Sequence, residues 1–396
     1  GDGRPALREA LQVLDRARSM DPARADLAKE AAWAHIALGG GARRRGEAAG
    51  DHLEAAVTAA DEAVRLAPRS AASWNMRGVA LQGLGETAAD PSEFWGDAAK
   101  AFERAVALDP RAFGSMSNLG LLCHSLGGWK TRHGQDPMLD YERGLAACDS
   151  SLAISPRSTG VLCNRALLLI GIARARADRG ENPVDRLQEA IASCEKALRL
   201  SPSLAVPANG IGCARLLIGD WRERNGQDAI EEYRAGIVSL DEALRLYPGY
   251  GEALLNRASA WTAVARTEAR LGLDPTSSCV KSIADCEEVW QRTPRVEDAH
   301  TLMARVVTLI RDHSQKSGLD PIPVYDRMIL AYEGLLARVP DSRLARHNLA
   351  GTWRYLGEWR QARGQDPREA FGHAISEYAM VAKLDEAETR ALLAQA

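Results

Sequence analysis

Aromatic side chains are scarce in this chain: Phe, Trp and Tyr make up 5% of 396 residues. No apolar run approaches the roughly 20 residues that a membrane-crossing helix needs, and no signal-peptide pattern opens the sequence. Period-two runs of β-branched residues are also missing, which predicts essentially no sheet. A formal charge of −3, from 50 basic and 53 acidic side chains, gives no general pull toward nucleic acid or anionic membranes. The seven Cys are odd in number and form no C-x-x-C pair. A reducing, cytoplasmic setting is therefore expected.

Catalytic patterns are absent too. The eight His form no H-E-x-x-H pair and none has metal-ligand spacing with Cys, so no metal is expected. No phosphate loop of the G-x-x-x-x-G-K-[ST] type occurs. The run from Gly210, "GIGCARLLIG", has two glycines in dinucleotide spacing but falls inside a predicted helix with no strand before it. Gly39–Gly41, followed by Arg43–Arg45, reads as a flexible hairpin turn that a phosphate could visit. No cofactor and no enzymatic activity are expected.

What is present is a repeat. A Pro closes an amphipathic stretch at Pro22, Pro68, Pro110, Pro156, Pro202, Pro248, Pro294 and Pro340, at intervals of 46, 42, 46, 46, 46, 46 and 46 residues, with Glu386 in the ninth place. A fixed period in this range marks a stacked repeat protein. Ten residues after each Pro stands a Gly or Ala: Ala32, Gly78, Gly120, Ala166, Gly212, Ala258, Ala304 and Ala350. These small residues allow close helix approach. Twenty-two residues before the Pro lies a turn, "GQDP" at Gly134–Pro137 and again at Gly364–Pro367. Gly can end one helix in the left-handed conformation, while Asp caps the next and Pro fits its first position. Between the stops, Tyr233, Ile237, Leu240, Leu244 and Tyr247 keep helical spacing. The unit is an antiparallel helical hairpin, with a shorter first helix where the interval is 42. Cys148, Cys194 and Cys286 share a register with Phe102, Leu240, Tyr332 and Tyr378, which reads as core filling.

Trp74–Gly78 ("WNMRG"), Gly85, Ala98, Phe102, Ala105 and Pro110 resemble the signature of the tetratricopeptide repeat (TPR). The resemblance covers nearly the whole chain and implies an all-α, right-handed α-solenoid of about eight TPR-like hairpins. Relative to the family's 34-residue unit, 12 residues are inserted between the two helices, lengthening both. Expected boundaries are an unpaired second helix at 1–22, repeats at 23–68, 69–110, 111–156, 157–202, 203–248, 249–294, 295–340 and 341–386, and a cap or truncated repeat at 387–396. The chain opens in mid-repeat, so a longer parent protein is expected. Similar long-turn arrays follow bacterial Ser/Thr kinase domains, although no kinase motif stands here.

The family resemblance implies that the first helices line a concave groove for an extended peptide. Asn118, Asn164, Asn256 and Asn348 stand two residues before the small residue, where an amide offers a peptide backbone both a donor and an acceptor. Bridging of adjacent helices by the same amides is the competing reading. Arg77, Arg165 and Arg257 follow one residue later and suit acidic peptide groups or the repeat's own carboxylates. His124 and Arg354 stand four residues after the small one, along the groove wall. Trp129, Trp221 and Trp359 close first helices, as packing plugs or as a row of exposed anchors for a partner. Beside them Arg43, Arg44, Arg45, Lys130, Arg132, Arg222, Arg224, Arg360 and Arg363 define a basic edge, or simply offset helix dipoles.

The function expected is a non-catalytic scaffold that binds a protein or peptide, as the regulatory part of a bacterial signalling protein. An upstream domain of the same polypeptide is a candidate partner. A solenoid enzyme or ligand-binding domain with a groove pocket, and self-association, are the alternatives. Nucleic acid and membrane are not expected partners.

Overall fold

A computed structural model describes residues 4–293 and 296–395, with side chains described for 5–293 and 296–385. Pro294, one of the repeat-closing prolines, lies outside the described residues. The protein is an all-α solenoid of helical hairpins, with no strand among the described residues. It divides into two compact units, Gly1–Pro202 and Ser203–Ala396.

In the first unit, α1 (Arg4–Met20) packs on α2 (Ala25–Arg44). The first helices of the hairpins are α2, α4 (Ala71–Gly85), α6 (Phe113–Arg132) and α8 (Thr159–Asp178). Their second helices are α3 (Gly50–Leu66), α5 (Ser92–Leu108), α7 (Met138–Ile154) and α9 (Val184–Leu200). The second unit repeats the scheme with first helices α10 (Ala205–Arg224), α12 (Gly251–Arg270), α14 (Glu297–Ser317) and α16 (Arg343–Ala362). Its second helices are α11 (Ile230–Leu246), α13 (Thr276–Arg292), α15 (Ile322–Arg338) and α17 (Arg368–Gln395). A 20-residue first helix such as α6 is about 30 Å long. The 42-residue interval is absorbed by α4, which has only 15 residues. With no Pro at position 386, α17 runs on uninterrupted for 28 residues.

The hairpin turn is a Schellman motif. At the end of α6, Gly134 N–H donates to Thr131 O (3.2 Å) and Gln135 N–H to Lys130 O (2.9 Å). Gly134 sits at φ 68°, and the equivalent Gly of six other hairpins is likewise left-handed. The Asp-Pro step differs from the sequence expectation. Pro137 is itself the N-cap of α7 rather than its first residue. Asp136 Oδ1 instead accepts from Met138 N–H two residues on (3.0 Å), an Asx turn that precedes the helix. The glycine run also departs from expectation: Gly39–Gly41 lie inside α2, where a Cβ on Gly39 would stand 2.7 Å from Leu53 Cγ. There is no loop there to hold a phosphate.

Inside each hairpin the small residue meets a side chain from the register eight before the closing position. A Cβ on Gly78 would lie 2.5 Å from the Phe102 ring, and one on Gly120 2.5 Å from Cys148 Sγ. Where the small residue is Ala166 or Ala258, that register holds Cys194 or Cys286, both buried. Small faces large and medium faces medium, as a close-packed interior requires. One hairpin breaks the rule. Ala304 is opposed in sequence by Tyr332, and Ala304 is exposed while Tyr332 is fully buried. Tyr332 packs in a cluster with Trp290 (ring centroids 5.3 Å apart) and His300. Here α15 packs beside α13 and makes little contact with α14. The expectation of close approach at every small residue fails at Ala304 because α15 packs on α13 instead. The same Ala–Tyr pair at Ala350 and Tyr378 keeps Ala350 buried with α16 against α17, so phenol size is not the cause.

Candidate functional site

Successive first helices lie side by side within each unit, and their shared face carries the amides. In the first unit, Asn118 Nδ2 donates to Asn75 Oδ1 (3.2 Å), and Ser115 Oγ donates to the same oxygen (3.0 Å). Asn164 Nδ2 lies 3.4 Å from both the carbonyl and the hydroxyl oxygen of Ser117. In the second unit, Asn256 Nδ2 donates to Asn209 Oδ1 (2.9 Å). Each donor stands one register step beyond its acceptor in the preceding repeat. The amides thus bridge neighbouring first helices while remaining half-buried, with capacity left for a further partner. Asn348, also half-buried, lines a cavity with Tyr332. The acceptor row (Asn75, Ser117, Asn209) was missed in the sequence, although it stands at a constant three residues before the small position.

Three residues further along each helix, on the same face, the two units differ. The first carries Trp33, Val79, Leu121 and Leu167; Trp33 is 54% exposed and Leu121 39%. The second carries Cys213, Ser259, Arg305 and Gly351. One face is apolar with amides, the other polar with a cation.

The arginines that follow the amides are held by carboxylates. Arg77 Nε donates to Asp61 Oδ1 (2.6 Å), Arg165 Nε to Asp149 Oδ1 (2.7 Å), and Arg257 Nη1 to Asp241 Oδ1 (2.7 Å). Each pair ties a first helix to the second helix before it. Arg165 also reaches Ser193 Oγ (2.8 Å), and Arg257 clasps Asp285 through two bonds of 2.6 and 3.0 Å. Burial pushes the Asp285 carboxyl above its ordinary range, and the Arg257 contact opposes that rise. Of the two wall residues, His124 is half-buried near Tyr141 (ring centroids 6.3 Å apart), and burial followed by Arg174 lowers its pKa. Arg354 stands over the Tyr355 ring at 4.3 Å and pairs with Glu358.

The basic edge is largely neutralised hairpin by hairpin. Lys130 pairs with the buried Asp140 (2.6 Å), Arg222 with Glu232 (3.0 Å), Arg360 with Glu369 (3.1 Å) and Arg45 with Glu47 (2.8 Å). Arg43 pairs with Glu86. Arg363 lies on the Trp359 ring, 3.0 Å from its centroid. Arg44, Arg132 and Arg224 are exposed. Of the plugging tryptophans, Trp359 is buried and Trp129 and Trp221 half-buried.

Cavities also open in the second unit. One, of about 380 Å³, is lined by Asp220, Glu223, Arg224, Ser259, Arg266 and Arg305 among others. Its carboxylates are committed: the Tyr233 hydroxyl lies 2.9 Å from an oxygen of each, and Arg266 Nε donates to Glu223 at 3.1 Å. Burial works against ionisation of Glu223, yet the bonds from Arg266 and Tyr233 prevail and hold its pKa below the ordinary value. This carboxylate stays charged and is no proton donor at neutral pH. Two smaller cavities, about 220 and 160 Å³, lie between α14 and α16, and the second is lined by Ala304 and Tyr332. The second of them brings together Asn348 and Arg354 with Tyr332, His347 and Tyr378. No group of three or more His, Cys, Asp or Glu among the described residues could hold a metal. None of the seven Cys is in a disulfide; six are buried, and burial raises the Cys123, Cys148 and Cys279 thiols to about 12. No helix of the described residues is long and apolar enough to cross a membrane.

No protein-family model matches the chain, and no curated protein does. Solved structures with a similar helical-repeat arrangement include TTC0263, a thermophilic TPR protein of Thermus thermophilus (18% identity, TM-score 0.38, 61% of this chain and 99% of that one). PilW, a type IV pilus biogenesis factor, shares 13% identity at a TM-score of 0.44 over 69% of this chain and 98% of its own. The human IFIT1 dimer with m7Gppp-AAAA shares 13% identity at a TM-score of 0.38, over 96% of this chain and 78% of that one. At these identities and scores the likeness carries no inference about function.

Proposed function

We propose that the protein is a non-catalytic scaffold that binds a peptide or protein along the shared face of its first helices. The observation that carries this reading is the first unit's paired rows. The half-buried amides of Asn118 and Asn164 run beside the exposed Leu121 and the half-buried Leu167, and Val79 on α4 and the exposed Trp33 on α2 continue the apolar row. An extended backbone satisfies its polar groups on such amides while its side chains cover the apolar row, and large exposed apolar residues aligned with polar ones favour a partner. In the second unit, Arg305 and Ser259 stand in the equivalent row beside the 380 Å³ cavity, which suits acidic groups of a partner. Use of the scaffold as the regulatory part of a larger cytoplasmic bacterial signalling protein rests on the sequence resemblance alone. An upstream domain of the same polypeptide is one partner of the required kind.

The cluster of charges around Asp220 and Glu223 is what a groove enzyme would need, so it favours the second reading. Against it, both carboxylates are tied to Tyr233 and Arg266, leaving no free general base among the residues that line that cavity. The test is selection of binders to the full chain from a random peptide library, followed by calorimetry on the strongest peptide. Trp33→Ser with Leu121→Ser is expected to weaken its binding by roughly tenfold or more. Unchanged affinity in that variant, with the fold intact by circular dichroism, contradicts the proposal.

A further inference from the structure

A cleft of about 220 Å³ opens between the C-terminal half of α14 and α16, where α14 makes little contact with α15. It is walled by Tyr325 from α15 with Tyr355 and Trp359 from α16. Ser314 and Arg311, three residues apart on one face of α14, line it too. Ser314 is 1% exposed, and its hydroxyl has no hydrogen-bond partner among the described residues. A buried hydroxyl left unpaired is unfavourable. The cleft therefore contains an unmet demand for a polar atom in an otherwise aromatic setting.

We propose that this cleft binds a small aromatic carboxylic acid, held through its carboxylate by Arg311 and Ser314. A nest of Tyr325, Tyr355 and Trp359 with Glu358 at its rim first suggests a cage for a cation. The protein's own cations exclude that. Arg363 already lies on Trp359 at 3.0 Å, and Arg311 and Arg354 stand 4.9 and 4.3 Å from the Tyr355 centroid. The ring faces are occupied by guanidinium groups, so an incoming cation meets repulsion and an anion meets attraction. A guanidinium stacked on an aromatic ring also presents its outer plane to another flat group. The volume lies below the 300–1,000 Å³ of drug-sized pockets and suits one ring or a fused pair. Arg311 now donates to Asp312 Oδ1 through Nε (2.9 Å) and Nη2 (2.7 Å), an exchangeable pair at the cleft mouth. On binding, the carboxylate accepts hydrogen bonds from the Arg311 fork and the Ser314 hydroxyl while the ring lies against the outer plane of the Arg363 guanidinium that covers Trp359.

The experiment is isothermal titration of the full chain with 2-naphthoate, its neutral isostere 2-naphthamide, and the cation phenyltrimethylammonium. The acid is expected to bind at least tenfold tighter than the amide, with no measurable binding of the cation, on the order expected for loss of a charge-assisted bond. Arg311→Gln is expected to weaken 2-naphthoate roughly tenfold, and the smaller change Ser314→Ala by a factor of about 3–10. Circular dichroism melts establish that both variants fold. Equal binding of acid and amide, preference for the cation, wild-type affinity in both variants, or no heat with 2-naphthoate at about 5 mM would each overturn the assignment. None of these outcomes bears on the first-helix face of the other unit.

Discussion

The imidazole of His300 lies 5.9 Å from the ring of Tyr332, centroid to centroid, and only 14° from parallel. Trp290 completes the cluster at 4.7 Å from the same imidazole. His300 is 5% exposed, its Nδ1 has no hydrogen-bond partner among the described residues, and burial pushes its pKa down to about 4. The unfolded chain binds this proton near pH 6.5. Between those values the unfolded state holds more protons, so stability falls as pH drops from 6.5 to 4 and levels off below. The loss attributable to His300 is roughly 3 kcal/mol. Urea unfolding at pH 7 and pH 4.5 is expected to show a smaller difference for His300→Gln than for the wild-type protein.

The seam rule gives a contrast between two hairpins. Gly78→Ala pushes a methyl group into the Phe102 ring, 2.5 Å away, and is expected to lower stability by about 1–3 kcal/mol. Ala304 is exposed and lines the 160 Å³ cavity, which has room for a longer side chain, so Ala304→Met is expected to change stability by less than about 0.5 kcal/mol. Thermal melts of the two variants distinguish a repeat-wide packing requirement from one that α14 has escaped.

The Arg257–Asp285 clasp sets up a third test. Asp285 is buried, so Arg257→Met leaves a carboxylate without its main counter-charge and is expected to cost about 3–5 kcal/mol. Adding Asp285→Leu to the same chain is expected to recover most of that loss. A double variant as unstable as the single one would show that packing, not charge, holds Arg257.

The amide spine is accessible to a double-mutant cycle. Asn256→Ala and Asn209→Ala are expected to show a coupling of about 0.5–1.5 kcal/mol, because their side chains bond directly at 2.9 Å. Additive effects would mean that the contact contributes nothing to repeat stacking.

The repeating helical hairpin was readable because its punctuation is local chemistry. Gly134 needs a left-handed φ, and Asp136 bonds a backbone N–H two residues away. The amide register was equally legible, since Asn118 and Asn164 recur at one period. Their acceptors were within reach of the same reading but needed a second register to be followed. Gly39–Gly41 misled because three glycines signal a turn in isolation, whereas Gly39 is required under Leu53 inside a helix. The α14–α16 cleft was not legible at all. It is walled by residues of three helices, Ser314, Tyr325 and Tyr355 among them, which only tertiary packing brings together.

The central claim is that the first-helix face is the working surface, and hydrogen exchange of the full chain with a library-selected peptide tests it most directly. Added protection in α2, α4, α6 and α8, strongest around Trp33 and Leu121, is the predicted result. Protection confined to the second helices α3, α5, α7 and α9 would contradict it.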